Sequence, residues 1–224
     1  MFLIVRTKDQ IRKTSRYFTE SDIAHKTFAI SSTQLNRIDI SKEQQLDGFI
    51  VTSPNAVLAI PQTKLPFFCV GDATEKECIE TGRRVAFTGR SNAENMAADM
   101  AKRFPPMRVI HAAGDRADTS WYQTLTAKGI EVVNKLAYQT VYSEKLDDET
   151  IALLKSEPFK AIVFFSSQGA EHFQKLMIQA GLQSQNFNVI TFSQQIAQHC
   201  QNFKNVLVCE EPSLKAVKNV IQTL

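Results

Sequence analysis

The chain has 224 residues, of which 43% are apolar and 22% charged, with a formal net charge of +3. This composition is typical of one large or two small globular domains, and it excludes collagen-like and disordered chains. The charge is too small for the concentrated basic face of a nucleic-acid binder, and no apolar run approaches the ~20 residues of a membrane span. We therefore expect a protein that binds neither nucleic acid nor membrane.

The beginning of the chain lacks the pattern of a secretion signal. Apolar residues follow Met1 directly, and Arg6 interrupts them before a signal core could form. We expect a cytoplasmic protein. The cysteines form two pairs with a spacing that fits neither C-x-x-C redox motifs nor zinc sites. We interpret all four as reduced packing residues, namely Cys69, Cys78, Cys200 and Cys209.

Short runs rich in Val, Ile and Phe alternate along the chain with stretches in helical period. This alternation predicts βα units around a parallel sheet. The predicted strands, in chain order, are residues 2–6, 48–52, 67–70, 84–87, 107–111, 131–137, 160–165, 188–192 and 205–209.

Capping signals predict where several helices begin and end. Ser53 before Pro54 indicates a cap ahead of a proline at the first helical position. Three capping boxes are predicted, at Thr7 with Gln10, Asp72 with Glu75, and Ser91 with Glu94. Helix ends are predicted at Gly82, Gly129 and Gly181.

Residues 26–32 and 136–141 are extended and have no helix attached, and we expect them to pair as a linker ribbon. Residues 48–57 resemble residues 161–170, which indicates two homologous α/β lobes of about 100 residues each. We predict that the first lobe comprises residues 1–32 and 139–224. The second lobe, residues 37–135, is inserted into it, with linkers near 33–36 and 136–138.

The turns between strands and helices carry hydroxyls, amides and glycines. Ligands of open α/β sheets bind beyond the carboxyl ends of the strands, and helix N-termini there stabilise anions by ~0.3–1 kcal/mol each. Repetition of such turns in both lobes favours a polyanion, although Ser, Thr and Asp also cap helices for structural reasons alone. The turn residues are Thr7, Ser53, Gly71, Asp72, Ser91, Gly114, Ser166, Ser167, Gln168, Gly169 and Ser193.

Most motifs of known catalytic chemistry are absent from the sequence. Neither the dinucleotide nor the P-loop glycine motif occurs, and the four histidines show no ligand spacing. We interpret the histidines as surface or packing residues, although His111 ends a predicted strand near the expected ligand edge. Arg6 and Arg116 are either carboxylate-binding residues or solvated charges, and Lys8 and Arg90 fit solvated charges better. Tyr138 is either a hydrogen-bond donor to a ligand, through its hydroxyl, or a packing residue.

Five segments match, in order and spacing, the pattern of a known enzyme family. They are the opening strand with Arg6, TSPNAV at 52–57, VGDATEKECIETG at 70–82, AGDR at 113–116 and KGIEVVNKLAYQT at 128–140. Over most of its length the chain thus resembles the uroporphyrinogen-III synthase family. The resemblance implies two flavodoxin-like (HUP-like) parallel-sheet lobes joined by a two-stranded linker ladder.

The resemblance also implies a reaction in haem biosynthesis. Hydroxymethylbilane, a linear tetrapyrrole with eight carboxylates, would lose water and close to uroporphyrinogen III with its last ring, ring D, inverted. The family's scheme proceeds through an azafulvene and a spiro intermediate and needs no metal or organic cofactor. The resemblance further implies a monomeric lyase, and it leaves transient contact with neighbouring pathway enzymes open.

Several residues acquire roles from this resemblance. Tyr138 matches the tyrosine that assists departure of the hydroxyl, directly or through a water. Ser53, Thr74 and Ser166 match residues that bind substrate carboxylates together with nearby backbone N–H groups. The other substrate-binding candidates are Arg6, Gly71, Gly114, Arg116, Ser167, Gln168 and Ser193.

The sequence departs from the family pattern at three places: the turn at residues 192–195, Ala113 with Gly114 where the family has an arginine-glycine pair, and Ser167 where the family has a proline. Residues 192–195 read Phe-Ser-Gln-Gln where the family usually has a glycine and two threonines. This change supports a second hypothesis, a non-catalytic two-lobed binding module for an anionic small molecule or a degenerate synthase-like regulatory domain. A third hypothesis is a flavodoxin-like electron carrier, which would require bound flavin.

Overall fold

The structure is a computed structural model that describes residues 1–43, 45–156 and 160–224. The strands are β1 (Phe2–Thr7), β2 (His25–Leu35), β3 (Gly48–Val51), β4 (Phe67–Val70), β5 (Val85–Gly89), β6 (Met107–Gly114), β7 (Ile130–Tyr142), β8 (Ala161–Phe164), β9 (Asn188–Thr191) and β10 (Asn205–Val208). The helices are α1 (Lys8–Thr19), α2 (Pro54–Ala59), α3 (Asp72–Glu80), α4 (Ala93–Arg103), α5 (Tyr122–Thr126), α6 (Asp148–Lys155), α7 (Ser167–Gln179), α8 (Gln194–Ala197) and α9 (Leu214–Gln222).

The fold is mixed α/β with a mostly parallel sheet. The ten strands follow the order β10-β9-β8-β1-β2-β7-β6-β3-β4-β5. The predicted α/β class is therefore confirmed. The chain divides into two compact units, residues 1–32 with 141–224 and residues 33–140, which we call the outer unit and the middle unit.

In the outer unit, parallel strands are covered by helices on both faces. β1 pairs in parallel with β2 on one side and with β8 on the other, so the first strand belongs with the C-terminal half. Leu3 and Val5 pack in a core cluster with residues of α7, whereas Phe2 and Ile4 pack in a second cluster with residues of α9. Alternate residues of β1 thus enter opposite layers, as expected for a central strand.

The middle unit has the same layered construction. Phe49 and Val51 of β3 pack in a cluster that includes residues of α2 and α3, whereas Ile50 between them packs with residues of α4 and α5. All three side chains are fully buried. A continuous apolar strand is therefore required here, because both of its faces meet a helix layer.

β2 and β7 contain the two boundaries between the units. In the middle unit the Asn36 N–H donates to the Ala137 carbonyl at 2.8 Å, and in the outer unit the Ser143 N–H donates to the Ile30 carbonyl at 2.9 Å. From the first of these bonds to the second, the residue number falls along β2 and rises along β7. The two strands are therefore antiparallel. The predicted extended segments 26–32 and 136–141 lie within these two strands.

All nine predicted strands occur, with ends that shift by a few residues. The Ser53 cap of α2 is also confirmed, because its hydroxyl accepts from the Asn55 N–H at 3.3 Å. The four cysteines are buried and free, as predicted for packing residues. No helix among the described residues combines the length and apolar character needed to cross a membrane.

The three predicted capping boxes are wrong. Thr7 precedes α1 but makes no side-chain capping bond. Gly71 rather than Asp72 occupies the cap of α3, and Asn92 rather than Ser91 caps α4. In the α4 turn the Asn92 oxygen accepts from the Asn95 N–H at 2.9 Å, and Ser91 instead accepts from the Asn95 side chain at 2.7 Å.

His111 is a core residue of the middle unit. Its side chain is fully buried, with Nδ1 at 2.6 Å from the Tyr122 hydroxyl and Nε2 at 3.3 Å from the Thr52 hydroxyl. Burial lowers the pKa of the imidazole to about 4. The interpretation of His111 as a packing residue agrees with this environment.

Acid should destabilise the protein through His111. The unfolded residue, with a pKa of about 6.5, takes up a proton before the folded one does, so stability falls as the pH drops from ~6.5 towards ~4. At pH 5 this group should lower the free energy of unfolding by about 2 kcal/mol relative to pH 8. Urea denaturation of wild type and His111→Gln at both pH values measures the difference. The control Lys13→Gln, at an exposed position of α1, keeps all four histidines and should show the wild-type difference in stability between the two pH values. The same difference in His111→Gln would refute the assignment.

Candidate functional site

In the middle unit, three predicted binding residues occupy the turns after β3 and β4. Ser53 lies two residues after the end of β3 and is partly exposed. Gly71 follows β4 with a φ of 78°, a backbone conformation that favours glycine, and its N–H donates to the Gly89 carbonyl at 2.8 Å. The Thr74 side chain lies within the first turn of α3 and is only 2% exposed. The surface at these turns is therefore formed by Ser53 and by the backbone at Gly71.

Gly114 and Tyr138 are brought into direct contact. They are register partners in the β6–β7 pair, next to an irregularity between Ala113 and Gly114. A Cβ at Gly114 would lie 2.7 Å from Cζ of the Tyr138 ring and 2.8 Å from its hydroxyl oxygen. Because no side chain fits between them, the phenol rests on the bare backbone of Gly114. Gly114 thus sets the position of the Tyr138 hydroxyl.

The backbone around Tyr138 is fixed by the residue after Gly114. The Asp115 N–H donates to the Tyr138 carbonyl at 3.1 Å, and the Asp115 carboxylate accepts from the Thr140 N–H at 3.4 Å. Arg116 follows in the same turn, with Nε 3.9 Å from the Asp115 carboxylate. About half of the Arg116 side chain faces solvent next to the strand that carries Tyr138.

In the outer unit, Arg6 lies against two aromatic rings. Its guanidinium carbon is 4.1 Å from the Phe165 ring centroid and 5.9 Å from that of Phe192. One terminal nitrogen, Nη1, is buried without a hydrogen-bond partner among the described residues. Partial burial lowers the pKa of Arg6 below its usual value. Arginine side chains nevertheless keep their charge in proteins. The Arg6 guanidinium is thus supported by two aromatic rings and has one N–H donor group, at Nη1, without a partner among the described residues.

The two serine turns of the outer unit follow the aromatic residues that support Arg6. Ser166 follows Phe165, and its hydroxyl caps α7 by accepting from the Gly169 N–H at 3.1 Å. Ser193 follows Phe192 and accepts from the Ile196 N–H at 3.4 Å. Both rings therefore connect Arg6 to predicted binding turns.

Ser167 and Gln168 form the start of α7, where backbone N–H groups carry the positive end of the helix dipole. The Gln168 side-chain oxygen accepts from the Tyr142 hydroxyl at 3.0 Å. In this unit the structure thus groups Arg6 with the turns that contain Ser166 and Ser193, and it places Ser167 and Gln168 at the first turn of α7.

Sequence reasoning missed the supporting residues. The sequence pattern identifies Phe165 and Phe192 only as strand ends, although each directly precedes a predicted binding serine. That shared position was the available signal, because two rings at equivalent strand ends can hold one cation. Asp115 was missed as well, and its position after Gly114 gave no signal for its bonds to β7.

The described parts of the chain contain no cluster of side chains that could bind a metal ion. In residues 1–43, 45–156 and 160–224 no group of three or more His, Cys, Asp or Glu side chains is placed to hold a metal ion. What both units offer at the carboxyl ends of their strands is hydroxyls, backbone N–H groups and arginines. These groups bind carboxylates or phosphates.

Two solved structures resemble the whole chain. The uroporphyrinogen-III synthetase of Helicobacter pylori 26695 superposes with a TM-score of 0.65 at 17% identity, over 99% of this chain and 98% of that one. A mutant uroporphyrinogen III synthase from the extremely thermophilic bacterium Thermus thermophilus has a TM-score of 0.52 at 10% identity, over 99% and 97% of the two chains. These likenesses establish the fold.

Sequence comparison identifies the family. A search of curated proteins gives no significant match. The family described as uroporphyrinogen-III synthase HemD, in contrast, matches residues 23–218. This range covers most of the chain and includes all candidate residues except Arg6. The chain therefore belongs to the uroporphyrinogen-III synthase family.

Proposed function

We propose that the chain is an active uroporphyrinogen-III synthase, a hydro-lyase that cyclises hydroxymethylbilane to uroporphyrinogen III with inversion of ring D. The family match over residues 23–218 carries this proposal. The site chemistry supports it, because both units offer donors for anions and the substrate has eight carboxylates. The product class also places the protein in tetrapyrrole biosynthesis.

In this cyclisation the main task of the protein is to bind and orient its substrate. Electron density from a pyrrole nitrogen expels the terminal hydroxyl of the bilane, and ring closure then depends on how the flexible chain is folded. Holding the reacting ends in place can supply much of the rate enhancement. We assign this task to the turns that contain Ser53, Gly71, Ser166 and Ser193, with Thr74 acting through the backbone of its turn.

Arg6 is the strongest single anion site in the proposal. Its guanidinium lies against the Phe165 ring and is only partly buried, so part of it is open to a ligand. A carboxylate that accepts from the accessible N–H groups would form a charge-assisted bond. The first turn of α7, with Ser167 and Gln168, adds the helix dipole nearby in sequence to Ser166.

Tyr138 is proposed as the proton donor to the departing hydroxyl. A phenol hydroxyl can donate one hydrogen bond. Its ring rests on Gly114, and its backbone is bound by Asp115. This arrangement leaves the hydroxyl at one place before substrate arrives, which is the preorganisation that acid catalysis requires. Arg116, in the adjacent turn, is assigned to a substrate carboxylate.

The organisation of the molecule completes the proposal. We propose two flavodoxin-like lobes, residues 1–32 with 139–224 and residues 37–135, connected by a two-stranded ladder. The antiparallel bonds between β2 and β7 support this ladder. We further propose that the protein works as a monomer in the cytoplasm.

Isomer analysis tests the proposed function. Purified protein given hydroxymethylbilane should release uroporphyrinogen III, whereas the uncatalysed reaction closes without inversion to the I isomer. Chromatography of the oxidised products separates the two. Heat-denatured protein serves as the control. Formation of the I isomer alone would refute the proposed synthase activity.

Replacing Tyr138 by phenylalanine should slow the reaction without unfolding the protein. The variant loses one hydroxyl and keeps the ring that rests on Gly114, so kcat should fall by about 100-fold while the thermal midpoint stays close to wild type. Steady-state assays and thermal melts measure both. Tyr17→Phe, on α1, is the matched control and should keep wild-type kcat. An unchanged rate in Tyr138→Phe would remove this residue from the mechanism.

Gly114→Ala should act through Tyr138. Its added methyl group would overlap the phenol ring, so the hydroxyl must shift and kcat should fall at least about tenfold. The expected loss of stability is about 1–3 kcal/mol. In a double-mutant cycle the alanine should cost little further activity once Tyr138→Phe is present, because the displaced hydroxyl is already gone. Fully additive losses would contradict the coupling.

A further inference from the structure

A small pocket in the outer unit lies outside the residues assigned so far. It has a volume of about 170 Å³ and is bounded by the start of α1, by β2 and by the end of β7. Its position is at the carboxyl end of β1, because Thr7 of β1 is the register partner of Ser31 in β2. The lining residues are Lys8, Ala29, Ser31, Ser32, Val141, Tyr142 and Ser143.

Ser31 gives the first sign that this pocket takes a ligand. The residue is only 4% exposed and lines the pocket. Its side chain makes no hydrogen bond within the described part of the chain, yet its hydroxyl is not among the fully enclosed unpartnered atoms, so it keeps access to solvent. A hydroxyl in this position bonds to water in the pocket or to a polar ligand that replaces that water.

The charge around the pocket indicates an anion. Lys8 is the first residue of α1, is exposed and makes no ion pair with any described residue. The Thr7 side chain does not cap this helix, and Asp9, the acidic residue of its first turn, does not line the pocket. The positive end of the helix dipole therefore favours an anion at this wall. No aspartate or glutamate occurs among the lining residues that the structure describes. Ser32 adds a further hydroxyl at the wall.

The volume limits what can enter. A space of about 170 Å³ corresponds to roughly five or six water molecules at ~30 Å³ each. This accommodates one acidic side arm and excludes a pyrrole ring together with its substituents. We propose that the pocket binds a single acetate or propionate arm of the linear tetrapyrrole, with Lys8 as counter-ion and Ser31 as hydrogen-bond donor.

This inference rests on the proposed function and names a contact that the family resemblance does not assign. Binding by a side arm should affect substrate affinity rather than the reacting carbon. Lys8→Gln should therefore raise KM about tenfold and change kcat less than twofold, since loss of a charge-assisted bond weakens ground and transition states alike. Lys8→Arg should stay close to wild type. Lys13→Gln, on the same helix and away from the pocket, should also match wild type.

Ser31→Ala separates a binding role from a structural one. Because the hydroxyl has no partner in the described structure, its removal should leave the thermal midpoint unchanged or raise it, while KM increases about threefold. A structural serine would give the opposite pattern, with lower stability and unchanged KM. That pattern, or a Lys8→Gln variant with the same KM as Lys13→Gln, would overturn the proposal.

A binding measurement keeps this test independent of catalysis. Fluorescence titration with uroporphyrin III, which carries the same eight carboxylates, gives Kd without turnover. Kd should rise about tenfold in Lys8→Gln and stay unchanged in Lys13→Gln. If wild type forms no III isomer, the proposed function fails, and this titration alone decides whether the pocket binds a carboxylate arm. Equal Kd values for both variants would refute it.

Discussion

Parallel pairing of strands is the constraint on which both candidate binding regions depend. Strands that run in one direction place their carboxyl ends at one edge, so the turns that follow them meet although they are distant in sequence. In the outer unit this brings Arg6 to the rings of Phe165 and Phe192. In the middle unit it gives β3, β4 and β6 a common edge. Helix N-termini and hydroxyls collect there because each parallel strand must be followed by a crossover.

The fold class could be predicted because its signal is local. A strand buried on both faces must be apolar throughout, and the runs at β3 and β8 show this directly. Helix starts were harder to assign. At α4 both Ser91 and Asn92 are good capping residues, and only the backbone geometry determines that Asn92 takes the cap. Thr7 likewise has a suitable side chain but makes no capping bond.

The site was predictable where one residue type acts within its own turn. Ser53 and Ser166 have nearly the same extended backbone, with φ of −150° and −154°, and both cap the following helix. The contact between Gly114 and Tyr138 could not be derived in this way. It depends on the register of β6 against β7 and on an irregularity that shifts this register by one residue. Local sequence does not encode such a shift, and therefore the contact required the folded structure.

The bonds that join β2 to β7 bring the two ends of the middle unit together. Near both ends of the middle unit, Asn36 is bonded to Ala137, and the Gln139 side chain donates to that of Gln34 at 2.9 Å. A unit whose ends are neighbours can be excised, permuted or exchanged between proteins without stretching its host. The middle unit thus has the geometry of an inserted domain, in which the chain enters and leaves at neighbouring positions.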